Sequence, residues 1–150
     1  YVGGGNTKSM IALWKEWKLD KYLKKAWESG GILAGICAGA SCWFEECVTD
    51  SIPGDLTVLK CLGFIKGSCC PHYNGDKKRP AAYRNFISNG DILNGFAIDD
   101  DTALHYIDNK LERIVKSVEK GAVYKVFKDD GKVKEDRIEA TLINVNDLST

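Results

Sequence analysis

Gly35-Ile36-Cys37-Ala38-Gly39 places a thiol between two glycines, where the apolar run Ile32 to Ile36 gives way to small residues. A nucleophile on a sharp strand-to-helix turn is held in a strained conformation, and glycines on either side let neighbouring backbone pass close by. The N-terminus of a following helix favours a thiolate and a developing oxyanion. The backbone N–H of Ala38, the residue after the thiol, is then one oxyanion donor, and the glycine turn Gly3-Gly4-Gly5 can bring a second to the same edge. The alternative is a buried cysteine in a Gly/Ala-rich turn. An attacking thiol needs a base, and the chain has two histidines. His72 follows Pro71 at the expected C-terminal end of a strand, where the loops of α/β folds gather around a site. His105 alternates within an expected strand and reads as structural. A third, acidic group should orient the imidazole, and Asp99, Asp100 and Asp101 stand together at the end of another strand. Three adjacent carboxylates repel one another, so the run marks a solvated turn or a role.

The elements that position these residues follow from the apolar pattern. Tyr1 to Thr7 reads as the end of a strand entering a glycine turn, with Asn6 or Thr7 capping a helix that carries Met10, Ile11, Leu13, Trp14 and Trp17. Asp20 starts a second helix with Leu23 and Trp27, stopped by Ser29-Gly30-Gly31. Ile32 to Ile36 is expected as a central strand covered on both faces, and Cys37 to Phe44 as a tight turn into a helix. Leu62 to Ile65 is strand-like and ends near Cys70-Pro71-His72. Pro80 to Ser88 is helical, and Gly95 to Ile98 is a buried strand. Ala103 to Ile107, Leu111 to Val118 and Ala122 to Lys128 read as antiparallel strands joined by turns at Asp108-Asn109, Lys120-Gly121 and Asp129-Asp130-Gly131. The fold class is α/β: parallel βα units first, then a β-rich C-terminal edge, in a single domain over 1–150. The chain opens directly on a strand, so an N-terminal portion that would neighbour it is expected to be missing.

Composition narrows the function. With 21 basic and 21 acidic side chains the 150 residues carry no net charge, which argues against nucleic-acid or polybasic membrane partners. The 44% hydrophobic content fits a globular core. Neither a membrane-length apolar stretch nor a signal peptide is present, so a cytoplasmic domain is expected. Six cysteines need placing. Cys37, Cys42 and Cys47 lie five apart, too far for one helical face, and Cys69, Cys70 and His72 form one short cluster with no obvious second pair for zinc. Nothing marks a secreted disulfide framework, so most are expected as buried free thiols, Cys37 excepted.

Taken in order, Gly4-Gly5-Asn6-Thr7, Gly35 to Ala40, Pro71-His72-Tyr73 and Ile98 to Ala103 resemble the peptidase E (aspartyl dipeptidase) and cyanophycinase family of serine peptidases. The Lys120 to Val126 tail also looks like that family's C-terminal strands. The resemblance implies a class I glutamine amidotransferase-like (flavodoxin-like) fold, a mostly parallel sheet flanked by helices, and a Ser-His-Glu triad cleaving short peptides near a free N-terminus. It puts the nucleophile on Cys37, the base on His72, the acid on Asp100 with Asp99 next, and the oxyanion donors on Gly5 and Ala38. Arg79, with Lys78 and Arg84 as rivals, becomes the candidate for gripping a substrate carboxylate bidentately. Cys replaces the family's Ser, Asp its Glu, and the family's leading βα units are missing.

The expectation is therefore a hydrolase of short peptides, N-terminal Asp-Xaa among them, that needs no cofactor and no metal and can form a homodimer. A glutamine amidotransferase-type domain competes, because its nucleophile is a cysteine in the same kind of elbow, although the late His-x-Glu pair it usually carries is missing here. A catalytically inactive homologue is the third reading.

Overall fold

The computed structural model describes residues 1–143; residues 144–150, the end of the span read as one domain, lie outside the described residues. Three helices precede the sheet: α1 (Thr7–Glu16), α2 (Leu19–Glu28) and the single turn α3 (Ala38–Ser41). The Asn6 side chain accepts from Ser9 N–H at 2.9 Å and so caps α1, an interaction worth about 1 kcal/mol. Strands β1 (Phe44–Thr49), β2 (Thr57–Lys60) and β3 (Ile65–Cys70) lead to α4 (Arg79–Asn89), which has Pro80 in its first turn and Gly90 closing it. Strands β4 (Gly95–Ile98), β5 (Thr102–Ile107), β6 (Lys110–Lys116), β7 (Val123–Asp129), β8 (Lys132–Ile138) and β9 (Thr141–Leu142) complete the described chain.

Six strands form one sheet in the order β2-β1-β3-β4-β7-β8, and β5-β6-β9 form another. The β1–β3 and β3–β4 joins are parallel, while β1–β2, β4–β7 and β7–β8 are antiparallel. The expected mostly parallel sheet is thus parallel only at its centre. Nor do the C-terminal strands make one antiparallel run. β5 and β6 pair as a hairpin that leaves the main sheet, and β7 returns to lie beside β4.

Period-2 alternation sorts the central strands between two clusters. Val48, Cys70 and Ala97 pack with Tyr83 and Ile87 of α4. Their chain neighbours Cys47, Cys69 and Phe96 pack on the opposite side with Ile11 of α1, Leu23 of α2 and Leu104 and Tyr106 of β5. Helices therefore cover both faces of this α/β sheet. Fully buried Ile87 and Val126 each contribute roughly 1.5–3 kcal/mol.

Three further expectations are corrected. Residues 32–36 are not a central strand: they make one isolated parallel bridge between Gly35 and Val2, and Ile32 is 91% exposed. An apolar run records hydrophobicity, but a strand also needs bonded neighbours, and only the Val2 segment supplies one. The helix after Cys37 does not reach Phe44, because the aromatic and β-branched stretch Phe44 to Thr49 is taken up as β1. The strand expected to begin at Leu62 and end near Cys70 begins later, at Ile65, and ends at Cys70. β1 and β2, absent from the expected elements, flank a hairpin signal, Pro53-Gly54-Asp55 between Cys47-Val48-Thr49 and Thr57-Val58-Leu59. Among the described residues no helix is long and apolar enough to cross a membrane.

Candidate active site

Cys37 sits on a bend with φ 55° and ψ −117°, a conformation that non-glycine residues sparsely adopt. The flanking glycines are needed for space. A Cβ on Gly35 would lie 2.8 Å from the Val2 carbonyl oxygen, and one on Gly39 would lie 2.8 Å from that of Gly3. The Val2-Gly3-Gly4 segment therefore crosses directly over the bend. A Cβ on Gly4 would come within 3.2 Å of Cys37 Cβ, so Gly4 is the glycine that touches the thiol residue. Gly5, the expected second oxyanion donor, stands one residue further along and is exposed, with nothing within 4 Å of where its Cβ would be. The run of three glycines hid which one makes the close approach. Ala38 opens α3, and among the described residues no backbone carbonyl accepts from its N–H. Since α3 is one turn long, its aligned peptides sum to little, and the expected helix-dipole support for a thiolate is correspondingly small.

His72 and Asp100 follow the C-terminal ends of the neighbouring parallel strands β3 and β4. The Tyr73 N–H donates to the Ile98 carbonyl at 3.0 Å and carries the pairing past the strand ends. His72 itself has φ 55°. Its Nδ1 lies 2.6 Å from Asp100 Oδ1. A carboxylate only accepts, so Nδ1 carries the proton and Nε2 is left free. Both side chains are partly exposed at a cleft of about 220 Å³ lined also by Asp50, Gly75, Asp76 and Arg79.

The structure brings His72 and Asp100 together; among the described residues no hydrogen bond joins the Cys37 thiol to His72, and Cys37 is not one of the residues lining the cleft. A short chain of contacts links the two halves. Gly4 lies against Cys37, and the Asn6 Nδ2 donates to the Ser51 carbonyl at 2.9 Å. Neighbouring Asp50 reaches Arg79 at 3.8 Å.

The three aspartates separate. Asp99 Oδ2 accepts from the Ala122 N–H at 3.1 Å and ties β4 to the start of β7. Burial pushes its carboxyl up from the usual carboxylate range. Asp101 sits in a left-handed turn with φ 61°. Of the basic candidates, Arg79 is 4% exposed yet lines the cleft. Its Nη1 donates to the Val48 carbonyl at 3.2 Å, and its buried Nε lies 3.5 Å from Asp76 Oδ2, an ion pair without hydrogen-bond geometry. Arg84 is instead bound to Glu135 at 2.8 Å, and the Lys78 side chain is exposed. His105 accepts from Arg113 Nε at 3.0 Å within the β5–β6 hairpin.

All six cysteines are free, Cys37 half-buried and the other five buried. Cys69 and Cys70 belong to opposite clusters of the sheet, so they cannot converge with His72 on one ion. Among the described residues no three His, Cys, Asp or Glu side chains gather as a metal set.

The site thus comprises a cysteine on a strained bend, a His–Asp pair at the ends of parallel strands and a buried arginine. Residues 1–114 match the family described as Peptidase family S51, and the chain belongs to that family. The match ends inside β6, so the Lys120 to Val126 stretch lies beyond it. The chain is also 51% identical over 135 residues to a Bacillus subtilis (strain 168) protein named "Uncharacterized peptidase YgaJ". That similarity covers 90% of this chain and 58% of the relative, so the chain spans little more than half of that protein's length.

Proposed function

We propose that the protein is a hydrolase of short peptides, N-terminal Asp-Xaa among them, working through an acyl-enzyme on Cys37 on a class I glutamine amidotransferase-like scaffold. The observation that carries this reading is the 2.6 Å His72–Asp100 pair, which leaves the imidazole Nε2 free to act as base. Asp100 orients the imidazole. His72 Nε2 takes the thiol proton, and the sulfur attacks the peptide carbonyl to form a tetrahedral intermediate. The Ala38 N–H and an N–H of the Gly4-Gly5 turn bind its oxyanion. His72 returns the proton to the departing amine, and water, deprotonated by the same imidazole, hydrolyses the thioester. Arg79, which lines the cleft beside His72 and Asp100, is the candidate for holding a carboxylate of the substrate. No step needs a cofactor. The lack of a hydrogen bond between Cys37 and His72 favours one competing reading, a binding domain of the same family without turnover.

The test is hydrolysis of an N-terminal aspartyl chromogenic peptide by the parent, Cys37→Ser and Cys37→Ala. The expected result is loss of roughly a thousandfold or more in kcat for Cys37→Ala. Equal turnover by the parent and Cys37→Ala would overturn the assignment, and turnover in Cys37→Ser alone would mark the parent as disabled at one atom.

A further inference from the structure

We propose that Asn74 and Gly75 are positioning residues for the His72–Asp100 pair: Asn74 fixes the backbone of Asp100, and the missing side chain of Gly75 makes room for its carboxylate. The inference rests on the reading of His72 as base and Asp100 as its orienting acid. The loop after β3 folds back on itself, because the Asp76 N–H donates to the His72 carbonyl at 3.1 Å. That fold brings the two intervening residues onto Asp100 from one side. Asn74 Oδ1 accepts from the Asp100 N–H at 2.9 Å, a contact that crosses from the loop after one parallel strand to the loop after the next.

Gly75 acts by absence. A Cβ there would overlap Asp100 Oδ2 and lie 3.4 Å from its Cγ. Gly75 lies outside the left-handed region, so an L side chain meets no backbone strain at this position. The atom in the way is the end of a short, half-exposed side chain, which turns toward solvent at little cost. The fold therefore tolerates alanine, while the pair does not. The carboxylate is a rigid plane, so displacing Oδ2 also carries Oδ1 away from His72 Nδ1. A purely structural glycine would give the opposite pattern, with loss of stability before loss of the pair.

The experiment follows the His72 Nδ1–H proton by NMR in protein labelled with ¹⁵N-histidine, His105 being assigned separately through His105→Gln. In the parent this proton is hydrogen-bonded and shifted downfield, and Asp100→Asn gives the reference without a carboxylate. Gly75→Ala and Asn74→Ala are expected to lose the downfield signal with an unchanged unfolding midpoint, and Asn74→Asp, which keeps the acceptor oxygen, to retain it. With an aspartyl peptide as substrate, Gly75→Ala is expected to lower kcat about 100-fold at constant KM, the cost of misplacing a catalytic group by about 1 Å. A parental signal in Gly75→Ala overturns the proposal whether or not the protein hydrolyses peptides. Should Gly75→Ala fail to fold, the Asn74 variants decide, and a parental signal in Asn74→Ala overturns it. A signal that survives Asp100→Asn instead defeats the pairing itself, and with it the reading of Asp100 as orienting acid.

Discussion

Asp99, Asp100 and Asp101 have identical side chains and three environments, and the differences come from where each meets the end of β4. Asp99 is buried against Ala122, Asp100 reaches His72, and Asp101 turns the chain into β5. For Asp99, burial first and the neighbouring Asp100 charge next raise the carboxyl, with the Ala122 N–H partly opposing. A raised carboxyl binds its proton more tightly in the folded chain than in the unfolded one. Its contribution to stability is therefore full below the ordinary carboxylate range and is lost as pH rises through the folded value. Asp99→Asn keeps an acceptor for Ala122 without the charge. It should unfold at a higher temperature than the parent at neutral pH, with the advantage shrinking to nothing in acid. Thermal unfolding across pH checks this, and a constant difference at every pH would exclude it. The acidic run was legible as a cluster because like charges in sequence stand out. Its division of labour was not, because that depends on β7 arriving beside β4 from more than twenty residues away.

Elements divide in the same way. β4 and the helix at Pro80 were readable because their boundaries carry local signals, a glycine before and a carboxylate turn after, or a proline at the first turn. The run at 32–36 was misassigned because pairing partners are not a local property. The Cys37 turn and His72 stand out in the local pattern, whereas the placement of Gly4, Asn74 and Gly75 depends on which segments cross. One inter-element tie is open to measurement. Ser68 Oγ bonds the Leu93 carbonyl at 2.5 Å, so its single proton is spent there and it accepts from the Tyr83 hydroxyl at 2.7 Å. This joins β3 to α4 inside a fully buried site. Tyr83→Phe removes the donor and leaves a buried lone pair, at a cost of about 1–2 kcal/mol. Urea unfolding should report that loss with an unchanged m-value, and no change in stability would contradict the hydrogen bond.

Across the whole molecule, the two cores segregate the thiols. Burial pushes Cys42 and Cys70 up to about 12, and Cys69 and Cys47 also move upward, Cys47 through its contact with Cys61 at 3.5 Å. A thiol held protonated and out of water does not react as a nucleophile. The native protein should therefore take up one alkyl group per chain from iodoacetamide near neutral pH, at Cys37, and six after denaturation. Mass spectrometry of intact and digested protein reads both numbers, and native labelling at a core cysteine would count against the packing described.

The parallel join between β3 and β4 has a consequence in time. Parallel neighbours need a crossover, here through α4, so His72 and Asp100 meet across a separation of 28 residues. Contacts of that range form only after the intervening loop has closed. The bend at Cys37 is likewise closed by a distant segment, Val2-Gly3-Gly4, and the His72–Asp100 pair exists in no fragment shorter than the β3-α4-β4 unit. A molecule with α4 detached carries the Cys37 thiol without the His72–Asp100 pair. Any chemistry at this edge therefore switches on with the completion of the fold, as one event rather than by degrees.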